Sequence, residues 1–253
     1  MTTAPDRDRV AFVTGGSSGM GYATAQALLA QRARVAIIAR PGDRLQQARR
    51  ELESHGEVVA IGADLSQVAK IDSALQQAHR ALGAIDIVFT NAGTGEFSAV
   101  EEITETDFDA VVALNFKGVF FTIQRALPLM NDGGSIILNA SWTMHRAMDT
   151  GAVYAASKAA VHSLARSFAS SLAPRRIRVN SISPGFINTG QFNEQTAGEQ
   201  KTRRYKRQVP LERFGEAEEI AEVVAFLASP QASYNTGQDI LIDGGLVNSF
   251  RAG

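Results

Sequence analysis

Apolar positions along the chain follow two alternating patterns, short unbroken runs and longer stretches with helical spacing. The short runs cover 10–14, 34–39, 58–61, 85–90, 135–140, 177–183 and 239–242, and they predict seven strands. Helical spacing recurs over 21–31, 45–54, 67–82, 106–127, 153–172 and 216–228. Gly15 stops the first run and Pro41-Gly42 the second. Strands that are apolar on both sides need cover on both faces. Alternation with helices supplies it through right-handed crossovers, which predicts an α/β fold with a parallel sheet. No Pro/Gly/Ser linker divides residues 1–253, so a single domain is expected. The least regular segment, 188–210, is polar and charged, and a stretch of that length inside a compact domain is expected to be a lid.

Composition narrows the functional classes. The 253 residues are 45% hydrophobic and 20% charged, as in ordinary globular chains. There is no cysteine, which removes a disulfide framework, a thiolate-held iron–sulfur centre and a cysteine nucleophile, and fits a reducing compartment. Lys and Arg number 25 against 26 Asp and Glu, so the chain lacks the basic excess expected of a nucleic-acid or anionic-membrane binder. His55, His79, His145 and His162 are not at metal-ligand spacing, and no metal is expected. The first nine residues carry no apolar signal core, and no unbroken run approaches the length of a bilayer span. A soluble, cytoplasmic protein is the expectation.

Candidate chemistry begins at Thr14-Gly15-Gly16-Ser17-Ser18-Gly19-Met20-Gly21, between the first strand and first helix. Glycines at 15, 19 and 21 let backbone turn tightly and approach a ligand. The helix start behind them offers free N–H groups to a pyrophosphate. At the end of the second strand, an acidic residue would favour the ribose hydroxyl of NAD. The chain has Ala39 and then Arg40, whose guanidinium suits a 2′-phosphate. NADP(H) is therefore the expected cofactor. NAD(H) stays open, since Asp43 would reach a ribose if the Pro41-Gly42 turn folded back, and Arg40 also reads as a solvated strand end. Further on, Tyr154 and Lys158 are four apart at a helix start and share a face. An ammonium beside a phenol favours the phenolate, which makes tyrosine a usable acid or base near neutral pH. Ser141 and Asn115 strengthen that reading. Ser141 lies in Asn-Ala-Ser-Trp-Thr rather than G-x-S-x-G, which argues against a serine hydrolase.

In this order, the motifs resemble the short-chain dehydrogenase/reductase family over nearly the whole chain. They are T-G-x-x-x-G-x-G at 14–21, Asp64-Leu65, Asn91-Ala92-Gly93, Asn115, Ser141, Tyr154-x-x-x-Lys158, Pro184-Gly185 with Thr189, and Asp243-Gly244-Gly245. The usual Asn-Asn-Ala-Gly appears here with Thr90 in its first place. The resemblance implies a doubly wound Rossmann fold, a seven-stranded parallel sheet flanked by helices on both faces. It implies Tyr154 as general acid or base and Lys158 holding the nicotinamide ribose. Ser141 would bond the substrate oxygen, and Asn115 would hold a water that relays protons from Lys158. Asp64 and Leu65 would lie by the adenine, and Asn91, Ala92 and Gly93 along the cofactor cleft. Pro184 and Gly185 would also bind the cofactor, and the Ile187 backbone and Thr189 would meet its carboxamide. It implies a homotetramer or homodimer, in which the helices at 106–127 and 153–172 pair and the C-terminal strand and helix build the tetramer.

The implied reaction is hydride transfer between NADP(H) and a ketone or secondary alcohol. Rivals are an NAD-dependent alcohol dehydrogenase, a reductase of carrier- or CoA-bound 3-oxoacyl groups, and a non-catalytic nucleotide sensor. Trp142, Met144, His145 and Met148, with Phe186 and Phe192 opposite, are expected to wall a substrate pocket. Ordinary packing under a loop is the alternative for them. Lys201, Arg203, Arg204, Lys206 and Arg207 read either as a solvated helix face or as a recruiter of anionic substrates.

Overall fold

Every residue of the first strand, β1 (Val10–Thr14), is buried, as a two-sided apolar run requires. In the computed structural model, which describes residues 8–189 and 198–249, β1 is an inner strand, the third of a seven-stranded sheet. Chain order continues with α1 (Gly19–Ala30), β2 (Arg34–Ala39), α2 (Asp43–Leu52), β3 (Val58–Gly62), α3 (Val68–Leu82) and β4 (Ile85–Thr90). Then come α4 (Glu105–Val112), α5 (Val119–Ala126), β5 (Met130–Asn139), α6 (Ala152–Leu172) and β6 (Arg178–Pro184). The final elements are β7 (Ile187–Asn188), α7 (Glu199–Lys206), β8 (Gly215–Glu216), α8 (Ala217–Ala228) and β9 (Asp239–Ile242).

The main sheet runs β3-β2-β1-β4-β5-β6-β9, all parallel. The chain winds outward from β1 to β3, crosses back, and continues from β4 in the other direction. That reversal opens a crevice beyond the carboxyl ends of β1 and β4, where a doubly wound sheet binds its ligands. One core layer packs Phe12, Ile38, Val88 and Ile136 against Ile71, Ile123 and Val161 of the helices. The other packs Val13, Ile37, Phe89 and Ile137 against Leu28, Leu45 and Ile220. Helices cover both faces, as the alternating pattern predicts.

Three details depart from the sequence reading. The expected helix at 106–127 is broken by a π-helical turn over Ala113–Gly118, which contains Asn115. π-turns of this kind cluster at functional sites. The stretch Glu105–Leu129 is long and apolar enough, by length and composition, to cross a membrane, although it contains no unbroken apolar run. Here it lays Val119, Ile123 and Ala126 into the sheet core. Lastly, the expected irregular lid contains helix α7, and β7 pairs with β8 in a small parallel sheet at its base. Residues 190–197 of that segment lie outside the described residues.

Candidate active site

The glycine turn is built as its sequence requires. Gly15 and Gly19 adopt φ of +68° and +53°, where a side chain is strained. A Cβ on Gly21 would lie 2.3 Å from the Gly15 carbonyl oxygen. Ser18 stands at the N-cap of α1 but makes no side-chain cap hydrogen bond, and the first turn has no acidic residue. The opening N–H groups of α1 are thus left to an anion, and a pyrophosphate fits that cradle. Ser17 lies in the same turn, while the Met20 side chain packs into the core beside α8. Thr189 closes over the turn from the lid side, 3.3 Å from where a Gly19 Cβ would stand.

A polar string runs from this turn to Lys158. Thr14 Oγ1 accepts from the Asn91 and Ala92 amides at 2.8 and 3.0 Å, and Asn91 Nδ2 donates back to the Thr14 carbonyl at 3.1 Å. Asn139 Nδ2 donates to Asn91 Oδ1 at 2.9 Å, and Lys158 Nζ donates to the Asn139 carbonyl at 2.7 Å. Sequence reasoning overlooked Asn139. Its signal was a lone amide at the end of an otherwise apolar strand, since a buried polar group needs partners.

Lys158 and Asn115 meet at Gly93, where an added Cβ would lie 3.5 Å from Nζ and 3.2 Å from Asn115 Oδ1. Asn115 is fully buried and clamps Thr94 at both ends, accepting from its amide and donating to its carbonyl at 2.8 Å each. Its Nδ2 also lies 3.2 Å from Ser157 Oγ. Ser141 is buried and follows β5; its Oγ accepts from the Thr143 amide at 3.2 Å and from Thr143 Oγ1 at 3.0 Å. With Ser141 Oγ accepting twice from Thr143, its own proton is left for donation. Lys158 Nζ lies 5.7 Å from the Tyr154 ring centroid. Phe97, also overlooked, packs its ring 5.3 Å from that of Tyr154 while remaining half exposed.

The electrostatics correct one expectation. Burial pushes the Tyr154 pKa above its ordinary value, and the Ser141 hydrogen bond draws it part of the way back. Burial also lowers the Lys158 pKa to about 8, so the ammonium is itself weakened by desolvation.

Comparison with known proteins decides the family. A model described as enoyl-(acyl carrier protein) reductase matches residues 15–247. An oxidoreductase of Sarocladium schorii is 38% identical over 240 residues, covering 94% of this chain and 95% of that one. A short-chain dehydrogenase/reductase from Serratia marcescens superposes with a TM-score of 0.91 at 37% identity, covering 96% of this chain and all of that one. The chain belongs to the short-chain dehydrogenase/reductase family. Among the other solved members, a blue fluorescent protein from a metagenomic library, determined in complex with NADPH, superposes at 0.89 with 34% identity over 94% of this chain and 97% of its own.

Other expected residues of this dehydrogenase/reductase fall into place unevenly. Arg40 is exposed at the end of β2, near enough for its charge to help hold Asp64 below the usual carboxylate range. The larger cause is Ser66, whose hydroxyl and amide both donate to Asp64 Oδ1. Asp43 occupies the first turn of α2. Leu65 is buried in the core. Gly185 is pressed against Asp243, 2.7 Å from its Cα to the site of an added Cβ, and Ile187 is buried in β7.

Of the expected pocket wall, Trp142 is buried with Val209 and Leu246, and Met148 and Phe186 pack against them. Phe186 also stacks on Tyr205 of α7 at 4.7 Å. Met144 packs on the main core instead. His145 is not a free pocket wall, because its Nε2 bonds Asp239 Oδ2 at 2.9 Å. Phe192 lies outside the described residues. On α7, Arg203 pairs with Glu199, and Lys201 lies over the Tyr205 ring, 5.8 Å from its centroid. Lys206 lies 6.0 Å from the Phe214 centroid.

Proposed function

We propose that this chain is an NADP(H)-dependent carbonyl reductase that interconverts a ketone and a secondary alcohol. The observation that carries the reading is the convergence of a Ser141 donor, the Tyr154 phenol and buried Lys158 beside Gly93, at the crevice end of the sheet. When bound, the reduced nicotinamide supplies the hydride to the carbonyl carbon. The carbonyl oxygen accepts hydrogen bonds from Ser141 and Tyr154, and these strengthen as negative charge develops. Tyr154 gives its proton to that oxygen in reduction and takes it back in oxidation. Lys158, positively charged below a pKa of about 8, favours the resulting phenolate and would hold the nicotinamide ribose. Asn115 fixes Thr94 next to Lys158 and would seat the water of a proton relay. Arg40 would receive the 2′-phosphate, and the NADPH complex of the fluorescent relative supports that preference.

The Tyr154→Phe variant tests the mechanism. General acid catalysis contributes on the order of 10²–10⁴-fold, so turnover falls by about that factor while NADPH binding persists. A variant that keeps parental turnover refutes the role of the phenol. A panel of ketones, diketones, steroids and acyl thioesters, followed at the absorbance band of the reduced nicotinamide, identifies the substrate class. Acyl thioesters belong in that panel for two reasons, the matched family description and the exposed Lys201, Arg203, Arg204 and Arg207 on and beside α7. We further propose a homotetramer or homodimer, which light scattering would decide.

A further inference from the structure

We propose that His145 is a positioning residue that sets the hydrogen-bonding geometry of Ser141, by tying the serine loop through Asp239 to the helix that carries Tyr154 and Lys158. The proposal rests on the reading of Ser141 as the donor to the substrate oxygen.

The loop after Ser141 is one tight turn, Trp142–Met144, closed by the His145 amide donating to the Trp142 carbonyl at 2.9 Å. Thr143, which supplies both hydrogen bonds to Ser141 Oγ, lies inside this turn. Any shift of the turn therefore moves the donors that decide where the Ser141 proton points. Trp142 secures the first residue of the turn by burial. His145, the residue that closes it, reaches across 94 positions of sequence to Asp239 on edge strand β9.

Asp239 is a hub. Its side chain is only 8% exposed, against 28% for His145. While Oδ2 receives His145, Oδ1 receives the Ser181 hydroxyl at 2.6 Å and the Ser183 hydroxyl at 3.0 Å. Ser181 has a single proton, and Asp239 takes it, so Ser181 Oγ can only accept from His162 Nδ1, 3.2 Å away. His162 therefore carries its proton on Nδ1. Tyr154, Lys158 and His162 recur every four residues along α6 and share one face. One buried carboxylate thus joins the serine loop, strand β6 and the catalytic helix. A simple surface ion pair would need neither the two buried serines nor the histidine on that face. Arg146 is a further tether of the loop: its Nη1 donates to the Leu246 carbonyl at 3.1 Å and its Nη2 to Gln208 Oε1 at 3.3 Å.

The test uses the full chain with NADPH and the best ketone of the panel, comparing His145→Leu, His145→Gln, Asp239→Asn and Ser141→Ala. Displacing a catalytic group by about 1 Å lowers rate by up to about 10²-fold, so His145→Leu is expected to lower kcat roughly 10- to 100-fold. The ketone KM and the NADPH dissociation constant stay unchanged. Glutamine places an N–H near the histidine Nε2 position, so His145→Gln regains most of the loss. The double variant His145→Leu/Asp239→Asn is no worse than the poorer single. If His145→Leu lowers only the melting temperature and leaves kcat per folded molecule intact, the positioning role is wrong. Should that variant not fold, His145→Asn, too short to reach Asp239, is read by the same criteria. Loss of turnover in Ser141→Ala with none in the His145 variants overturns this proposal alone. Full turnover in Ser141→Ala overturns the reading of the site as well.

Discussion

At the β1–α1 turn the protein is shaped by missing side chains, whereas at the Ser141 loop it is shaped by side chains that meet from distant parts of the chain. The first region needs only Gly15, Gly19 and Gly21 within a few residues, and its geometry is local. The second needs Thr143, His145, His162, Ser181 and Asp239, which are scattered over nearly 100 positions and come together only once β5, β6 and β9 are paired. A local device depends on conformational freedom, so it is fragile to any added atom. A long-range device depends on register, so it is fragile to lost hydrogen bonds.

The sharpest way to break the first region is Gly21→Ala. Its methyl would lie 2.3 Å from the Gly15 carbonyl oxygen and 2.7 Å from Asn91 Nδ2. Overpacking of this kind costs about 3 kcal/mol. Thermal unfolding should show Tm falling by roughly 5–10 °C for a domain of this size. An unchanged Tm would show that the turn relaxes without strain. Cofactor KM should rise in the same variant.

Lys158→Met probes the opposite case, a residue kept at a loss of stability. The fall from an ordinary pKa of 10.5 to about 8 corresponds to about 3 kcal/mol of unfavourable burial of the charged form. Losing the bond to the Asn139 carbonyl returns about 1 kcal/mol. The variant should therefore be inactive yet more stable at pH 7, with Tm higher by roughly 5 °C. The sign follows from proton counts. Between about pH 8 and 10.5 the unfolded chain holds a proton that the folded chain has released, so the parent gains stability as pH rises there. The variant's advantage should shrink over that window, and an advantage constant with pH would contradict the assignment.

The smallest effect on stability is expected at Arg40→Asp, an exposed position. A charge-assisted hydrogen bond contributes about 1.5–3 kcal/mol, so the NADP/NAD ratio in kcat/KM should fall at least roughly tenfold. An unaltered ratio would mean that the exposed guanidinium does not read the phosphate.

The seven strands of the main sheet and most of the helices that cover it were legible as apolar periods, and β2 and β9 begin and end where the pattern places them, whereas α7 lies in the segment read as irregular. Tyr154 and Lys158 were legible too, because a helix carries residues four apart onto one face. Asn139 was harder to read, since its two roles join Asn91 to Lys158 across three elements. Phe97 was illegible, because its place beside Tyr154 depends on the backbone path of the loop between Gly93 and α4.

The sequence by itself determined the order of strands and helices, the glycine turn and the shared helix face of Tyr154 and Lys158, because those follow from periods and dihedral preferences that act within a few residues. Only the tertiary structure decided that His145 bonds Asp239, that Trp142 is buried with Val209 and Leu246, and that burial raises the Tyr154 pKa. Those outcomes depend on which groups are brought close and which are taken out of water, and both are properties of packing.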